Sequence, residues 1–187
     1  FAQKFADEQP KEKGFKKQNL FTGGSLNLSF GNKTTALGLS PYFGYSINKY
    51  VDVAATLGWN YISQRDNYYN GDKLRQTILG PGAFVRLYPV KFLFAHAQYE
   101  HNFIRYKYIP PSTFGTPSEV THLNANSLLV GGGFASGRDN YNKSFYYISV
   151  LWDVGKEANS PYVDNLNRAV PLIRAGYNIA LFQKSGN

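Results

Sequence analysis

The chain contains no cysteine. That excludes a disulfide framework, a thiolate metal site, a cysteine nucleophile and a lipid-modified N-terminal cysteine. No run of about eighteen apolar residues occurs, so no helix is long and apolar enough to span a bilayer. There is no phosphate-cradling glycine loop and no pair of metal ligands at useful spacing, so neither metal nor cofactor is expected. The Gly131-Gly132-Gly133 run reads as close packing or a kink within a strand. Acids are scarce: 12 Asp and Glu face 20 Lys and Arg, for a net charge of +8. The cations are scattered singly, and no helix-turn-helix or RNA-binding pattern organises them. Nucleic acid is therefore not an expected partner. An anionic membrane surface fits such a distribution better.

What the chain has is aromatics, glycine and alternation. Among 187 residues, 15 Tyr, 14 Phe and 18 Gly favour one all-β domain. The mean hydropathy of −0.37 resembles that of a soluble protein. A membrane barrel hides from such averages, because only alternate residues face lipid. The stretch Tyr50 to Tyr61 shows the pattern most clearly. Val51, Val53, Ala55, Leu57, Trp59 and Tyr61 share one face; Asp52, Ala54, Thr56, Gly58 and Asn60 share the other. A period of two is that of a strand with two different environments.

The pattern predicts eight strands, at roughly 18–30, 34–47, 50–62, 74–88, 92–105, 123–135, 144–154 and 171–183. Pro41 interrupts the second and predicts a bulge there. Leu129 breaks the alternation of the sixth. The connections at 48–49 and 89–91 are tight, and 136–143 is the longest of that set. Those at 63–73, 106–122 and 155–170 are longer still. Short periplasmic turns with long extracellular loops are the asymmetry of a membrane barrel. The expected organisation is a flexible periplasmic tail over 1–17, the barrel over 18–183, and a short tail over 184–187. Phe1-Ala2-Gln3 looks like the trimmed end of a secretory signal.

Alternation alone does not say which face is outside. A soluble lipocalin-like carrier would hide the apolar face, and a membrane barrel would display it. Here the polar face is mostly Gly, Ser, Asn, Ala and Tyr, small groups that suit the crowded lumen of eight strands. The apolar face carries aromatics near the strand ends. Trp59, Tyr61, Phe103 and Trp152 fall toward one rim, and Phe43, Tyr45, Phe134 and Tyr146 toward the other. Two aromatic girdles are what headgroup regions select. The fold expected is an all-β, eight-stranded antiparallel up-and-down transmembrane barrel.

Charges that share the polar face are Asp52, Arg86, His96, Glu100, Asp153 and Arg174. Adjacent-strand logic pairs Arg86 with Asp52 and Arg174 with Asp153, and leaves Glu100 without a cation. A lumen filled by ion pairs and hydrogen bonds is the expected outcome. Loop binding candidates are Tyr68 and Tyr69, then Arg65, Arg75, Arg105, Tyr106 and Lys107. Aromatic and basic groups together suit glycans or lipopolysaccharide phosphates. His101, His122, Ser112, Ser118, Glu119 and Ser160 lie near the rim, but no spacing makes them a triad. An enzyme is not expected. A lipid A-modifying enzyme, acyltransferase or deacylase, is the alternative. It would need a His in reach of a Ser and an acid beside a lipid-accessible gap.

The phrases PYFGYSINKYVDVAATLGWNY and LIRAGYNIALF resemble the small eight-stranded outer-membrane proteins of the OmpX and OmpA-barrel kind, in their Bacteroidota-type form. The resemblance covers 18–183. It implies a bacterial outer-membrane location with both termini periplasmic. It also implies lipopolysaccharide as the surrounding lipid and a surface-binding or structural role, alone or with a protein partner. Gly176-x-x-Ile179-x-Leu181 is similar to the C-terminal signal read by the barrel-assembly machinery, with five residues following Phe182.

Overall fold

The computed structural model describes residues 14–31, 34–66, 68–138, 144–164 and 166–182. Eight strands follow one another: β1 (Leu20–Gly31), β2 (Thr34–Ser46), β3 (Val51–Arg65), β4 (Lys73–Val90), β5 (Leu93–Ile109), β6 (Glu119–Ser136), β7 (Phe145–Asp153) and β8 (Leu172–Ala180). Each pairs antiparallel with its neighbours in sequence, and β1 pairs with β8, so the sheet closes on itself. Closure removes the unpaired edges that an open sheet would present. The pairs Ser46–Asp52, Asp52–Arg86, Arg86–His96, His96–Gly131, Gly131–Leu151 and Leu151–Leu172 run in one row from β2 to β8. Continued through β1, the row returns about ten residues further along, the stagger of a tilted barrel.

With an even number of strands the chain enters and leaves at one end, here called the turn end. It also carries the tight connections 47–50 and 91–92. The loop end carries 66–72, 110–118 and 154–171. The residues from Gly14 hold to the barrel rather than trailing from it. Phe15 stacks on Tyr45 with ring centroids 5.3 Å apart, and the Lys16 N–H donates to the Tyr45 hydroxyl. The rest of the expected tail, 1–13, and the expected tail 184–187 lie outside the described residues.

The apolar face is outside. Leu57, Trp59, Leu79, Ile148 and Ile179 are 43–51 % exposed, while Asp52, Ala54, Thr56 and Asn60 are buried. A belt this large would not stay in water as a monomer, so the soluble-carrier alternative is overturned. The interior is packed in layers. At the turn end an aromatic cluster holds Phe21, Tyr42, Phe84, Tyr88, Phe94, Phe145 and Tyr147. Nearer the loop end lie Ile78, Ile104 and Ala125, and beside them Leu129, Leu151 and Tyr162. Leu129 does not break the alternation; it points inward and is fully buried.

Two expectations about the strands are corrected. Pro41 makes no bulge: the β2–β3 ladder skips two residues there and resumes in the same register. Proline lacks only its N–H, so one ladder bond is lost while the chain stays extended. The register shift among the pairs to Pro41's own and later strands falls instead between Leu87 and Val90, beside Pro89. Second, β3 to β6 are longer than expected, and the connection predicted over 106–122 shrinks to 110–118. Arg65, Tyr106 and Lys107, expected in connections, therefore lie in strands, as do Arg75 and Arg105 at the strand ends. Residues in these extensions are half-buried or exposed whichever way they face, so the hydrophobic alternation stops before the strand does.

Candidate functional site

A continuous polar chain crosses the lumen. Arg86 lies among four rings, with its guanidinium carbon 4.2 Å from the centroid of Tyr147, 4.5 Å from Phe84, 5.1 Å from Phe94 and 5.3 Å from Tyr42. Ring faces attract a cation. Its Nε donates to His96 Nδ1 at 3.1 Å. A guanidinium has no acceptor, so His96 Nδ1 accepts and the ring proton sits on Nε2. That Nε2 donates to Gln98 Oε1 at 2.9 Å, and Gln98 donates to Glu100. From the far wall Arg174 donates to Gln98 Oε1 at 3.0 Å and to Glu100 Oε1 at 3.1 Å.

Both predicted ion pairs are thus replaced. Asp52 does stand opposite Arg86 in the register. Yet its ion pair, at 3.6 Å, is with Arg138, which also lies 3.6 Å over the Tyr88 ring and donates to the Lys49 carbonyl. The rings take Arg86 away, and the turn after β6 supplies the cation. Arg174 reaches across the lumen to Glu100, so Glu100 does have a cation. Asp153 instead accepts from Ser160 Oγ and from the backbone N–H groups of Leu128 and Gly155. In a bore this narrow an arginine spans the diameter, and cross-lumen partners compete with adjacent-strand ones.

The connection 154–171 folds into the loop-end mouth. Ser160 bridges Asp153 and Ser127, and the Tyr162 hydroxyl donates to Glu100 Oε2 at 2.8 Å. Asn60 Nδ2 donates to the Tyr162 hydroxyl, and Asn27 Nδ2 to Asn60 Oδ1. Burial, then the neighbouring Glu100 charge, pushes the Tyr162 phenol well above its usual range. Nothing in the sequence marked Ser160 or Tyr162 as lumen residues, because a loop that folds inward carries no periodic signal.

Outside, β6 outruns β7. The β6–β7 pairing stops at Leu129–Asp153, while β6 continues back to Glu119. Glu157 covers the first exposed position of this edge, accepting from the Asn126 backbone N–H at 2.7 Å and from Asn126 Nδ2 at 2.9 Å. These bonds hold its carboxyl below the usual range. Asn126 Oδ1 also meets His101 Nδ1 and the Tyr99 hydroxyl. His101 thus meets an amide and, through it, an acid, rather than a serine. Among the described residues no cluster of three His, Asp or Glu gathers where a metal could sit.

Next to this edge, β3 to β5 carry a cationic outer face. Arg65 stands directly opposite Lys73, and Arg75 directly opposite Lys107, with Arg105 one step away across from Thr77. Like charges directly opposite one another are destabilising. Among the described residues none of the five forms an ion pair with a carboxylate. Tyr61, Leu79 and Phe103, on the same outward side, lie just below them toward the apolar belt. At the tip, Asp72 accepts from the N–H groups of Tyr68 and Tyr69 and sets the loop. Tyr68 packs on Tyr108 and Tyr69 on Phe114, and both loop tyrosines are exposed. Tyr106 is half-buried on the inner side.

The remaining predicted aromatics are outward. Trp59 and Trp152 lie toward the loop end, with Phe43, Tyr45, Phe134 and Tyr146 toward the turn end. No protein-family model and no curated protein matches the chain. Among solved structures, Ail, the attachment invasion locus protein of Yersinia pestis, in complex with the heparin analogue sucrose octasulfate, is similar. The match covers 86 % of this chain and 96 % of that one, at a TM-score of 0.51 and 10 % identity. This is the fold of the small outer-membrane barrels. A second crystal structure of Ail matches at 0.48 with 12 % identity, over 86 % of this chain and 95 % of that one. Neisserial surface protein A matches at 0.44 with 14 % identity, over 87 % of this chain and 96 % of that one.

Proposed function

We propose that the protein is an outer-membrane barrel that acts by binding polyanionic glycan at the cell surface, not by catalysis. The turn end and both termini face the periplasm, and the loop end faces outward. In this placement Trp59, Tyr61, Phe103 and Trp152 sit at the outer headgroup level, and Phe43, Tyr45, Phe134 and Tyr146 at the inner one. The C-terminal segment, with Gly176 and Ile179 in β8 and Leu181 just after it, is the one through which the barrel-assembly machinery would insert it.

The observation that carries the reading is the cationic face of Arg65, Lys73, Arg75, Arg105 and Lys107. Two like-charge pairs face each other directly without a carboxylate. An anion seated between them relieves that repulsion, and a guanidinium fork matches phosphate or sulfate oxygens. The exposed Tyr68 and Tyr69 add flat faces suited to sugar rings. Ail, which shares the fold, is seen with a sulfated sugar. The anion is either the phosphate of lipopolysaccharide in the same leaflet or a free sulfated glycan.

The test is retention by immobilised heparin and by lipopolysaccharide-containing vesicles, over a series of salt concentrations. The double change Arg75→Gln with Lys107→Gln should weaken binding and flatten its salt dependence. Loss on vesicles alone assigns the lipid phosphate, and loss on heparin alone the free glycan. Unchanged binding to both would remove the cationic face from the account.

A further inference from the structure

The cationic face does not end at β5. Strand β6 pairs with β5 along this whole extension, and residues directly opposite one another in a sheet share a face. His122 stands opposite Arg105, Val120 opposite Lys107, and Asn124 opposite Phe103. Phe103 and Asn124 are exposed, whereas the next pair, Asn102 and Ala125, is buried in the lumen. A period of two along β6 therefore turns His122 outward, where it is exposed. Tyr61, Thr77, Arg105 and His122 form one row across β3 to β6. The row of Trp59, Leu79, Phe103 and Asn124 runs beside it, nearer the turn end.

The charges around His122 are of one sign. From β5 it faces Arg105 directly and Lys107 on the diagonal. On its other side β6 has no strand, since the β6–β7 pairing stops at Leu129–Asp153. On β6 itself Glu119 is an odd-numbered residue, turned to the opposite face and paired with Tyr108. The connection 110–118 carries no charged residue. In the connection 154–171, Glu157 is committed to Asn126, with Lys156 beside it in the chain, and Asp164 to Arg168. A proton on the imidazole would thus make a third like-charge pair, beside Arg65–Lys73 and Arg75–Lys107. Alone that pair is unfavourable; around an anion it is a clamp.

We propose that His122 is a further contact of the anion site, and that it makes glycan binding tighter in mild acid. The inference rests on the cationic face being the glycan site. Histidine takes up its charge between pH 5 and 8. A neutral ring donates one hydrogen bond, and a protonated ring donates two. A sulfate between Arg105 and His122 favours the protonated ring. Affinity therefore rises as pH falls, and levels off once the ring is fully charged in the free protein. Of the other two histidines, His96 is buried in the lumen. His101 faces outward but is occupied: its Nδ1 meets Asn126 Oδ1 at 2.7 Å, and its ring packs on Phe103 with centroids 4.8 Å apart.

The test is binding of heparin to the full chain in detergent, at one salt concentration, at about pH 5.5 and about pH 7.5, either side of the middle of the histidine range. Sulfate esters stay ionised at both, so a change in affinity comes from the protein. The unmodified chain should bind about two- to fivefold tighter at the lower pH, the effect of one exposed ion pair. His122→Gln should lose this dependence. His122→Lys, charged at both, should bind at the tighter level throughout. His101→Gln should keep the dependence. A pH effect that survives in His122→Gln overturns the proposal. So does equal binding by the unmodified chain at both pH values, where Arg75→Gln with Lys107→Gln still weakens it. Binding indifferent to that double change at either pH overturns the cationic-face reading itself, and the role of His122 with it.

Discussion

Arg174 and Glu100 are both almost fully buried, and their bond crosses the lumen. Removing one partner leaves a charge in a low-dielectric interior, which costs about 3–5 kcal/mol, whereas replacing the whole pair by apolar groups costs far less. Glu100→Ala should therefore destabilise the barrel more than Glu100→Ala combined with Arg174→Leu. Urea unfolding in detergent micelles measures both, and additive effects would show that the pair does not interact. Glycines make room for the rings of the turn-end layer. A Cβ at Gly44 would lie 2.6 Å or less from Phe21 ring atoms and from the Val53 carbonyl oxygen. Gly44→Ala should cost about 1–3 kcal/mol by overpacking in the same assay. An unchanged midpoint would mean that Phe21 yields freely. At this scale the sequence was legible in direction but not in partnership. Parity put Arg86, Glu100 and Arg174 inside, since a period of two fixes facing. It could not see that rings draw Arg86 away from Asp52, or that Arg174 spans the bore, because both depend on lumen width.

Among the elements, β6 is unusual in having a long stretch without a strand on its β7 side. Even-numbered residues from Leu128 back present their backbone groups to that side, and Glu157 occupies the place a strand would take at Asn126. An uncovered edge of this kind is a template for stray pairing. The Glu157 carboxyl is held below its usual range by the Asn126 bonds. A lowered folded pKa means that the cap's contribution is complete above the ordinary carboxylate range and is lost as pH falls through the lowered value. Hydrogen exchange should show the Asn126 amide protected at neutral pH and losing protection only under acid conditions. Glu157→Ala should remove that protection at every pH, and protection that persists in the variant would assign it to another group. The strand ends illustrate what periodicity misses. It found all eight strands, because each crosses an apolar belt. It stopped short on β5 and started late on β6, where Tyr106 and Lys107 are half-buried, Thr121 and His122 are exposed, and burial no longer alternates. Of the binding candidates, Arg65, Tyr106 and Lys107 lie in that unmarked region, so their residue types were visible and their strand placement was not.

For the molecule as a whole, the question is whether the closed sheet is a conduit. The belt outside makes it a membrane barrel, and the inside decides whether anything passes. At the level of Arg86 the rings of Tyr42, Phe84, Phe94 and Tyr147 surround the guanidinium. The space left among Ser40, Thr56, Ser149 and His96 is about 10 Å³. That is the volume of about one water. Nearer the loop end, Arg174, Glu100 and Tyr162 tie opposite walls together. No file of water can thread these two layers while both hold. In planar bilayers the protein should give no stable conductance step, in low salt or high, and vesicles containing it should keep a proton gradient. A reproducible single-channel step would show that the ring layer parts in the membrane. The charges along the lumen would then be a path rather than a plug.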